Sequence, residues 1–345
     1  MARYSFPWSN RRLSLNINRI YIILALLIVV AIFAVIYGRS PFGGSEEEAA
    51  QILPEPNLEV EAARQPLATF APEQKVEPNV TSLASKTTVT TDPKVTELVT
   101  EAMALINSQP GAVIEARDRL NEALLICQDI KQQNFIKGQL SKLAERWLFS
   151  KSLFPGDKFC TSYKVKKGDQ LRIIGERHKV PYEILAQINN IRDPKALRVE
   201  QVIKVVNGPF NAKVSRSTFT MDIYLQNTFI QSFPIGLGKP GKETPTGLWR
   251  VKKDGKMEKP IWTDPDTQRV YKPTDPDYPL GSRWIELEGM EGQAKDKTGF
   301  GIHGTKEPET IGTAESRGCI RLHNGDAILI YNLLVPIYSL VRVED

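Results

Sequence analysis

The sequence predicts a multidomain protein in which an N-terminal transmembrane helix and a disordered linker precede a small α-helical region, a βααβ module and a mainly-β domain. The prediction rests on three observations. An uncharged apolar run lies at 20–37, a segment rich in Pro, Glu and Ala follows at 38–92, and beyond it the apolar periodicity changes from helical to strand-like. The 345 residues are 41% hydrophobic, which is enough apolar material for more than one core.

The N-terminal segment has the charge pattern of a membrane anchor. The run 20–37 is close to the length that spans a bilayer as a helix, and the segment 1–19 before it contains Arg residues but no acidic residue. Because basic residues favour the cytoplasmic side of a span, we expect a single-pass membrane protein with a cytoplasmic N-terminus and extracytoplasmic later domains. A cleaved signal peptide is the alternative, although the run exceeds a usual apolar signal core.

The next two segments differ in their apolar pattern. Segment 38–92 is predicted to be a disordered linker, because Pro interrupts it repeatedly and its apolar residues show no sustained period. From 93 to 150 apolar residues recur every three or four positions, which predicts three amphipathic helices. Such a helical region suits either a structural spacer or a platform that docks a protein partner.

Composition and cysteine spacing exclude several classes of function. The net charge of +5 is small and acidic residues are interspersed among the basic ones, so nucleic acid is not an expected partner. The three cysteines match no zinc-ligand spacing, and we expect neither a metal nor a cofactor. Outside the cytoplasm, Cys127 and Cys160 are expected either to form a disulfide or to remain two buried thiols.

A compact unit at 162–207 has the pattern strand, helix, helix, strand. It resembles the lysin-motif (LysM) family through Tyr163-Lys164-Val165-Lys166-Lys167-Gly168-Asp169, through Pro181, and through Asn189-Asn190-Ile191. The resemblance implies that the unit binds N-acetylglucosamine glycan strands in a shallow groove. The candidate glycan-binding residues that it implies are Gly168, Asp169, Ile188 and Asn189.

From residue 210 onwards strand signals dominate. Two strand-like runs at 219–225 and 228–235 flank Asn227, which predicts a hairpin. The glycine-rich turn at 236–242 is not a phosphate-binding loop, because it lacks a Gly-Lys-Ser/Thr run that enters a helix. The Pro-rich segment 254–280 is expected to be a surface loop or lid, a type of segment that often borders an active site.

Cys319 is the strongest candidate for a catalytic residue. Gly318 immediately before it permits a tight backbone and removes steric cover from the sulfur. Arg317 and Arg321 are expected to lower the pKa of the thiol, because nearby positive charge favours the thiolate. This pattern indicates a thiol nucleophile, and the alternative for a lone cysteine is a buried structural thiol.

Two histidines are candidate bases for that thiol. His303 lies upstream after strand-forming residues, and His323 follows the cysteine closely. The residues alone leave both possibilities open. A serine hydrolase that uses Ser316 is excluded, since the sequence lacks the sharp Gly-flanked turn of a serine nucleophile.

Two motifs together resemble the L,D-transpeptidase family over about 211–345. They are His303-Gly304-Thr305 and Ser316-Arg317-Gly318-Cys319-Ile320-Arg321-Leu322-His323-Asn324. The resemblance implies a β-sandwich domain with the cysteine in a cleft under a mobile loop. It also implies acyl transfer on peptidoglycan stem peptides, in which the thiolate attacks a tetrapeptide and releases D-Ala. An amine then resolves the thioester to give a 3-3 cross-link.

The resemblance also implies individual catalytic roles. Cys319 is the nucleophile, and the match chooses His303 rather than His323 as its proton acceptor. Gly304 orients His303 through its backbone carbonyl, so the identity of its side chain is expected to matter little. Asn324 and Asp326 are expected to fix the turn and cap the following helix.

Oxyanion and substrate contacts are implied next to the cysteine. The implied oxyanion donors are the backbone N–H groups of Arg317, Gly318 and Cys319. The implied substrate-binding residues are Arg321, which suits a substrate carboxylate, together with Ser316 and Asn324. Arg317 departs from the pattern, because many members have His at this position.

Other acceptors of the acyl group give other activities with the same chemistry. Water would make the protein an L,D-carboxypeptidase, and the Lys of a surface protein would make it a protein-to-wall attachment enzyme. A non-catalytic peptidoglycan-binding scaffold is the alternative of another class, against which the intact Cys–His pair argues. In each case the expected partners are stem peptides, glycan strands and the membrane at the cell wall.

Overall fold

A computed structural model describes residues 92–108 and 111–345 of the chain. The expected anchor at 20–37 and nearly all of the expected linker lie outside these described residues. Within the described part, no helix is both long and apolar enough to cross a membrane.

Three helices occupy the region in which helical periodicity predicts them. They are α1 (Pro93–Ser108), α2 (Val113–Ile126) and α3 (Ile130–Trp147). Asp129 begins α3, because its carboxylate accepts the backbone N–H of Gln132 at 2.8 Å. The apolar stripes of the three helices face one another and bury Leu98, Leu120 and Leu140.

The LysM unit consists of β1 (Cys160–Lys164), α4 (Leu171–Arg177), α5 (Tyr182–Ile188) and β2 (Val202–Val206). The two strands pair antiparallel, with Cys160 opposite Val206. The predicted order of strand, helix, helix, strand is therefore confirmed.

The helical region packs on the LysM unit and on the C-terminal domain. Lys204 of β2 donates from Nζ to the carbonyl oxygens of Trp147 and Ser150 at the end of α3, at 2.5 and 2.9 Å. On the other side, Lys137 of α3 pairs with Asp222 at 2.6 Å. These contacts argue against a helical spacer that merely separates the LysM unit from the following domain.

The C-terminal domain is mainly β, as the sequence predicts. Its strands are β3 (Phe210–Ser215), β4 (Thr220–Leu225), β5 (Thr228–Pro234), β6 (Leu237–Gly238), β7 (Gly247–Met257), β8 (Trp262–Thr263), β9 (Val270–Tyr271), β10 (Trp284–Gly292), β11 (Phe300–His303), β12 (Ala314–Ser316), β13 (Ile320–Arg321) and β14 (Leu340–Glu344); α6 spans Asn324–Leu333. Hydrogen bonds join eight of these strands in one sheet of order β13-β11-β10-β7-β14-β3-β4-β5. Most strands of the expected sandwich thus belong to one continuous sheet, and β6 pairs with β12, and β8 with β9, outside it.

The C-terminal domain contains two β-hairpins that bear on the sequence prediction. The predicted hairpin around Asn227 is present as β4–β5, with Leu225 opposite Thr228. Strands β8 and β9 form a second, short hairpin at 262–271, inside the segment expected to be a loop or lid. Trp262 and Tyr271 pair across it, with ring centroids 5.8 Å apart.

The cysteines do not form the considered disulfide. Cys127 and Cys160 are both free and buried, and Cys319 is free and half-buried. The Cys160 thiol lies against the carbonyl of Trp147, whereas the Cys127 thiol contacts the start of α3 near Asp129. The alternative of two buried thiols describes this structure.

Candidate active site

Strands β11 and β13 bring the two catalytic candidates to one face of the sheet. They run parallel, with Ile302 opposite Ile320 and His303 opposite Arg321. The two isoleucines point into the core, being 1% exposed. Because side chains alternate along a strand, His303 and Arg321 share the other face with Cys319, which lies one residue before β13.

The imidazole of His303 is held in one tautomer. Its Nδ1 lies 2.5 Å from the carbonyl oxygen of Gly304. A carbonyl only accepts, so Nδ1 carries the proton and Nε2 keeps the lone pair that takes up a proton. The ring also stacks on Trp284, with centroids 5.6 Å apart. Burial lowers the pKa of His303 to about 4, and Arg321 acts in the same direction.

The thiol of Cys319 packs against a small aromatic cluster. Tyr278, Leu280 and Trp284 form the cluster, and Trp262 and Tyr271 of the short hairpin also pack against it. Burial raises the pKa of the Cys319 thiol to about 11, and this outweighs the opposing effects of the Gly301 N–H and the Arg321 charge. The expectation of a thiol pKa lowered by two arginines is therefore wrong.

Hydrogen bonds of Asn324 fix the carbonyl that orients His303. The Asn324 amide accepts the N–H of Ser282 at 2.9 Å and donates to the carbonyl of Thr305 at 2.8 Å. A Cβ at Gly304 would lie 2.1 Å from Asn324 Oδ1. Glycine is therefore required at 304, which corrects the expectation that its side-chain identity matters little.

Asn324 thus has a different place from the one expected. Its side-chain amide joins the loop at Ser282 to the segment after His303, and no side chain caps the N-terminus of α6. Both amide atoms are already bonded within the protein. Asn324 therefore holds the site together. Its side chain has little hydrogen-bonding capacity left for the substrate contact that the resemblance implies.

The turn before the cysteine is closed by Ser316. Its buried hydroxyl donates to the carbonyl of Cys319 at 2.6 Å and accepts the N–H of Gly318 at 3.1 Å. Gly318 has φ +113°, and a Cβ there would lie 2.7 Å from the Phe300 ring, so only glycine fits. The N–H of Gly318 is thereby occupied, and the Ser316 hydroxyl is committed to the turn rather than open to substrate.

Arg321 projects from the face that carries His303. Its Nη1 lies 3.2 Å from the Thr310 hydroxyl and 3.5 Å from Glu307. Its side chain is about one-fifth exposed, with a relative accessibility of 21%. The guanidinium therefore lies beside His303 and Cys319. Its contact with the Glu307 carboxylate, which is partly exposed, is long at 3.5 Å.

The LysM candidates divide into exposed and buried residues. Ile188 is 1% exposed, and the buried Asn189 amide is bonded to the backbone of Lys204, so neither can contact a glycan. Asp169 instead borders a cleft of about 650 Å³. The loop at 193–195 lines the same cleft. Gly168 lies in the adjoining turn at φ +87°.

Comparison with known proteins identifies the families that the two domains resemble. The family model of the L,D-transpeptidase catalytic domain matches residues 210–343, and the LysM model matches 163–206. YkuD and YqjB of Bacillus subtilis, both named as L,D-transpeptidases, are 27% and 30% identical to this chain. The matches cover 50% of this chain and 93% of YkuD, and 38% of this chain and 69% of YqjB.

The chain belongs to the L,D-transpeptidase family. Among solved structures, an L,D-transpeptidase of Mycobacterium tuberculosis is similar with 19% identity and a TM-score of 0.32, over 43% of this chain and 63% of that one.

In this L,D-transpeptidase, Arg317 ties the short hairpin to the cysteine turn. Its Nη1 donates to Asp264 at 2.9 Å, and its Nε lies 2.8 Å from Asp266. Lys242 reaches Asp266 from the glycine-rich turn at 3.2 Å. Arg317 lowers the pKa of Asp264 to about 2. The residue that departs from the family pattern therefore ties the turn before Cys319 to the hairpin, whose aromatic side chains pack on the same cluster as the thiol.

Loosening this tie is expected to expose the thiol. Asp264→Asn keeps an oxygen for the N–H groups of Asp266 and Thr267 but removes the charge that attracts Arg317. The loss of an ion pair worth about 1 kcal/mol predicts an increase of about fivefold in the rate at which iodoacetamide alkylates Cys319.

The control for this variant is Asp277→Asn. It removes the Arg269 pair of the same hairpin without touching the cysteine turn. Equal alkylation rates in the two variants would contradict the assignment of Arg317 as the tie.

The raised thiol pKa predicts a particular pH dependence. Below its pKa, the thiolate fraction of Cys319 grows tenfold for each pH unit, so alkylation is expected to accelerate about tenfold per unit between about pH 6 and about pH 9. Peptide mapping by mass spectrometry separates Cys319 from the two buried cysteines. A rate that levels off below neutral pH would instead indicate a preformed thiolate–imidazolium pair.

Proposed function

We propose that the protein is a peptidoglycan L,D-transpeptidase that works through a thioester on Cys319. The observation that carries the proposal is the fixed tautomer of His303, on the sheet face that it shares with Cys319. Its Nδ1–H donates to Gly304, and its Nε2 has no hydrogen-bond partner among the residues that the structure describes. A neutral imidazole beside a protonated thiol can remove the thiol proton only as the sulfur attacks, which is general-base catalysis.

The reaction proceeds in two balanced halves. The Cys319 sulfur attacks the carbonyl that joins a diamino acid to the terminal D-Ala of a stem tetrapeptide, and its proton moves to Nε2 of His303. The C–N bond breaks, His303 gives the proton to the departing D-Ala amine, and a thioester remains. An acceptor amine then attacks the thioester and loses a proton to His303, which returns it to the sulfur and leaves a 3-3 cross-link.

The oxyanion that forms in each half needs nearby donors. The backbone N–H groups of Cys319 and Arg317 are proposed for this role, because the Gly318 N–H is bonded to Ser316. Arg321 is proposed to bind a substrate carboxylate, for which it would exchange its long contact with Glu307. Ser316, Gly304 and Asn324 act on geometry, through the turn and the carbonyl that orients His303.

The remaining modules are proposed to hold the enzyme at its substrate. The LysM unit binds glycan, and a shared polymer raises the effective concentration of stem peptides near Cys319. The apolar run 20–37, preceded by arginines, supports a single-pass anchor with a cytoplasmic N-terminus and the catalytic domain at the extracytoplasmic wall.

A defined substrate tests the proposal. The protein is incubated with a purified disaccharide-tetrapeptide, and the products are weighed by mass spectrometry. Release of D-Ala with formation of a cross-linked dimer, and an acyl mass on the Cys319 peptide, are expected. Loss of D-Ala without a dimer would indicate the carboxypeptidase, and transfer to an added protein Lys would indicate wall attachment. Unchanged substrate with an unmodified Cys319 would leave only the binding scaffold.

A further inference from the structure

The backbone around Gly304 packs against a short loop that lies immediately before β10. We call residues 281–283 the 281–283 loop. The carbonyl of Arg283 accepts the N–H of Gly304 at 3.3 Å. A Cβ on Gly281 would lie 2.6 Å from the carbonyl carbon of Gly304, so the two backbones are in direct contact. Because closely packed backbones move together, a displacement of the loop also displaces the carbonyl that orients His303.

The residue that follows the loop supports His303 as well. Trp284 comes directly after Arg283, and its ring stacks on the imidazole with centroids 5.6 Å apart and an interplanar angle of 25°. Two contacts orient the imidazole, one with the Gly304 carbonyl and one with the Trp284 ring. Both of them depend on where the 281–283 loop ends.

The side chain of Arg283 fastens this loop to β7 and to α6. Its Nη1 donates to the carbonyl of Ser282 at 2.9 Å, and its Nη2 lies 3.1 Å from the carboxylate of Glu258, the residue after β7. The guanidinium also lies over the ring of Tyr331 in α6, 5.3 Å from its centroid. A planar guanidinium can hold several groups in one fixed geometry, which an ammonium does less well.

These contacts of Arg283 contribute little to stability. The side chain of Glu258 is 65% exposed, and ion pairs with an exposed partner stabilise a fold only weakly. The Nε of Arg283 is buried and has no hydrogen-bond partner within the described part of the chain, which opposes folding. The main effect of the side chain therefore falls on the position of the loop.

We propose that Arg283 is a positioning residue for the transpeptidase reaction, because by fastening the 281–283 loop it keeps His303 in the tautomer that can accept the proton of Cys319. Arg283 acts through the Gly304 carbonyl and the Trp284 ring. The inference rests on the proposed function for the role of His303. If the loop loosens, the carbonyl no longer selects the Nδ1–H form, and the Nε2–H form has no lone pair to offer the thiol.

Nitrogen NMR of the full chain with isotope-labelled histidine tests the inference, because it reports the tautomer directly. The chain contains three histidines, and His303→Gln identifies the signals of His303 by their loss. At neutral pH the imidazole is uncharged, since burial lowers the pKa of His303 to about 4. We expect the Nδ1–H form alone in the unaltered protein and both tautomers in Arg283→Met.

The kinetics of D-Ala release from the stem tetrapeptide give a second readout. We expect kcat of Arg283→Met to fall about tenfold, because a small misplacement of a catalytic group can cost up to about 10²-fold. KM is expected to stay within about twofold, because the change affects the base and not the groups proposed to bind substrate.

Arg250→Met is the matched control. It removes the pair of Arg250 and Glu288, which joins the same two strands, β7 and β10, at 2.7 Å and does not involve the 281–283 loop. Its tautomer and kcat are expected to equal those of the unaltered protein. Glu258→Gln keeps Arg283 but removes its charged partner, so we expect a smaller change in the same direction, about threefold in kcat. That variant decides the question if Arg283→Met does not fold.

The inference is overturned if Arg283→Met shows only the Nδ1–H form of His303, whatever its kcat. It is also overturned if Arg283→Met and Arg250→Met lose kcat equally. Should the unaltered chain form no product from the tetrapeptide, the proposed function fails, and the comparison of tautomers still decides whether Arg283 positions His303.

Discussion

Replacing His303 by Gln is expected to lower kcat/KM for the stem tetrapeptide about 10³-fold, within the range that general acid–base catalysis contributes. The amide side chain keeps a flat polar group against Trp284 and a donor for the Gly304 carbonyl, but it has no nitrogen that takes up a proton at neutral pH. The thiol, whose pKa is raised by burial, then has no acceptor for its proton.

The control for this prediction is built into the sequence. His323 is the other candidate base from the residues alone, and the structure places it exposed at the start of α6, beyond the strand that pairs with the strand of His303. His323→Gln is expected to change kcat/KM by less than about twofold, as for a surface substitution away from the site. A large loss in His323→Gln with little change in His303→Gln would reverse the assignment of the base.

Local patterns account for the elements that carry the site. Alternation of apolar residues predicts the hairpin around Asn227, and helical periodicity predicts the three helices before the LysM unit. Motif resemblance chooses His303 over His323, which neither charge nor spacing does. These features depend on residues close together in the chain, and such signals are visible in a single sequence.

Contacts between distant segments are not predictable in the same way. From the sequence alone, Arg317 is interpreted as a charge next to the thiol. The residues around it give no sign that Asp264 and Asp266 of a Pro-rich loop pair with it. The requirement for glycine at 304 comes from the Asn324 amide, which lies well downstream in the chain. Net pKa values depend on burial, and burial of Cys319 against the cluster of Tyr278, Leu280 and Trp284 outweighs the neighbouring charge that the sequence displays.

The junction between α3 and the LysM unit also depends on contacts between segments that are distant in the chain. It leads to a second prediction with a large expected effect. Lys204 is 2% exposed although it lies in a short strand of otherwise ordinary composition. Its ammonium donates to the carbonyl oxygen of Trp147, the last residue of α3, and to those of Ser150 and Ser152 in the segment that follows the helix. The negative end of the helix dipole favours a cation at the same position.

Lys204→Met is therefore expected to lower the free energy of unfolding by about 3 kcal/mol, since it keeps the aliphatic stem but leaves the buried Trp147 carbonyl and two partly buried carbonyls without this donor. Urea unfolding followed by circular dichroism measures the change, and Lys167→Met, at an exposed position of the same unit, is the matched control. If the free energy of unfolding of Lys204→Met lay within about 0.5 kcal/mol of that of the unaltered protein, burying the charge would cost as much as its hydrogen bonds contribute. Burial lowers the pKa of Lys204, so burying the ammonium costs free energy. The measurement decides whether the three hydrogen bonds of Lys204 outweigh that cost.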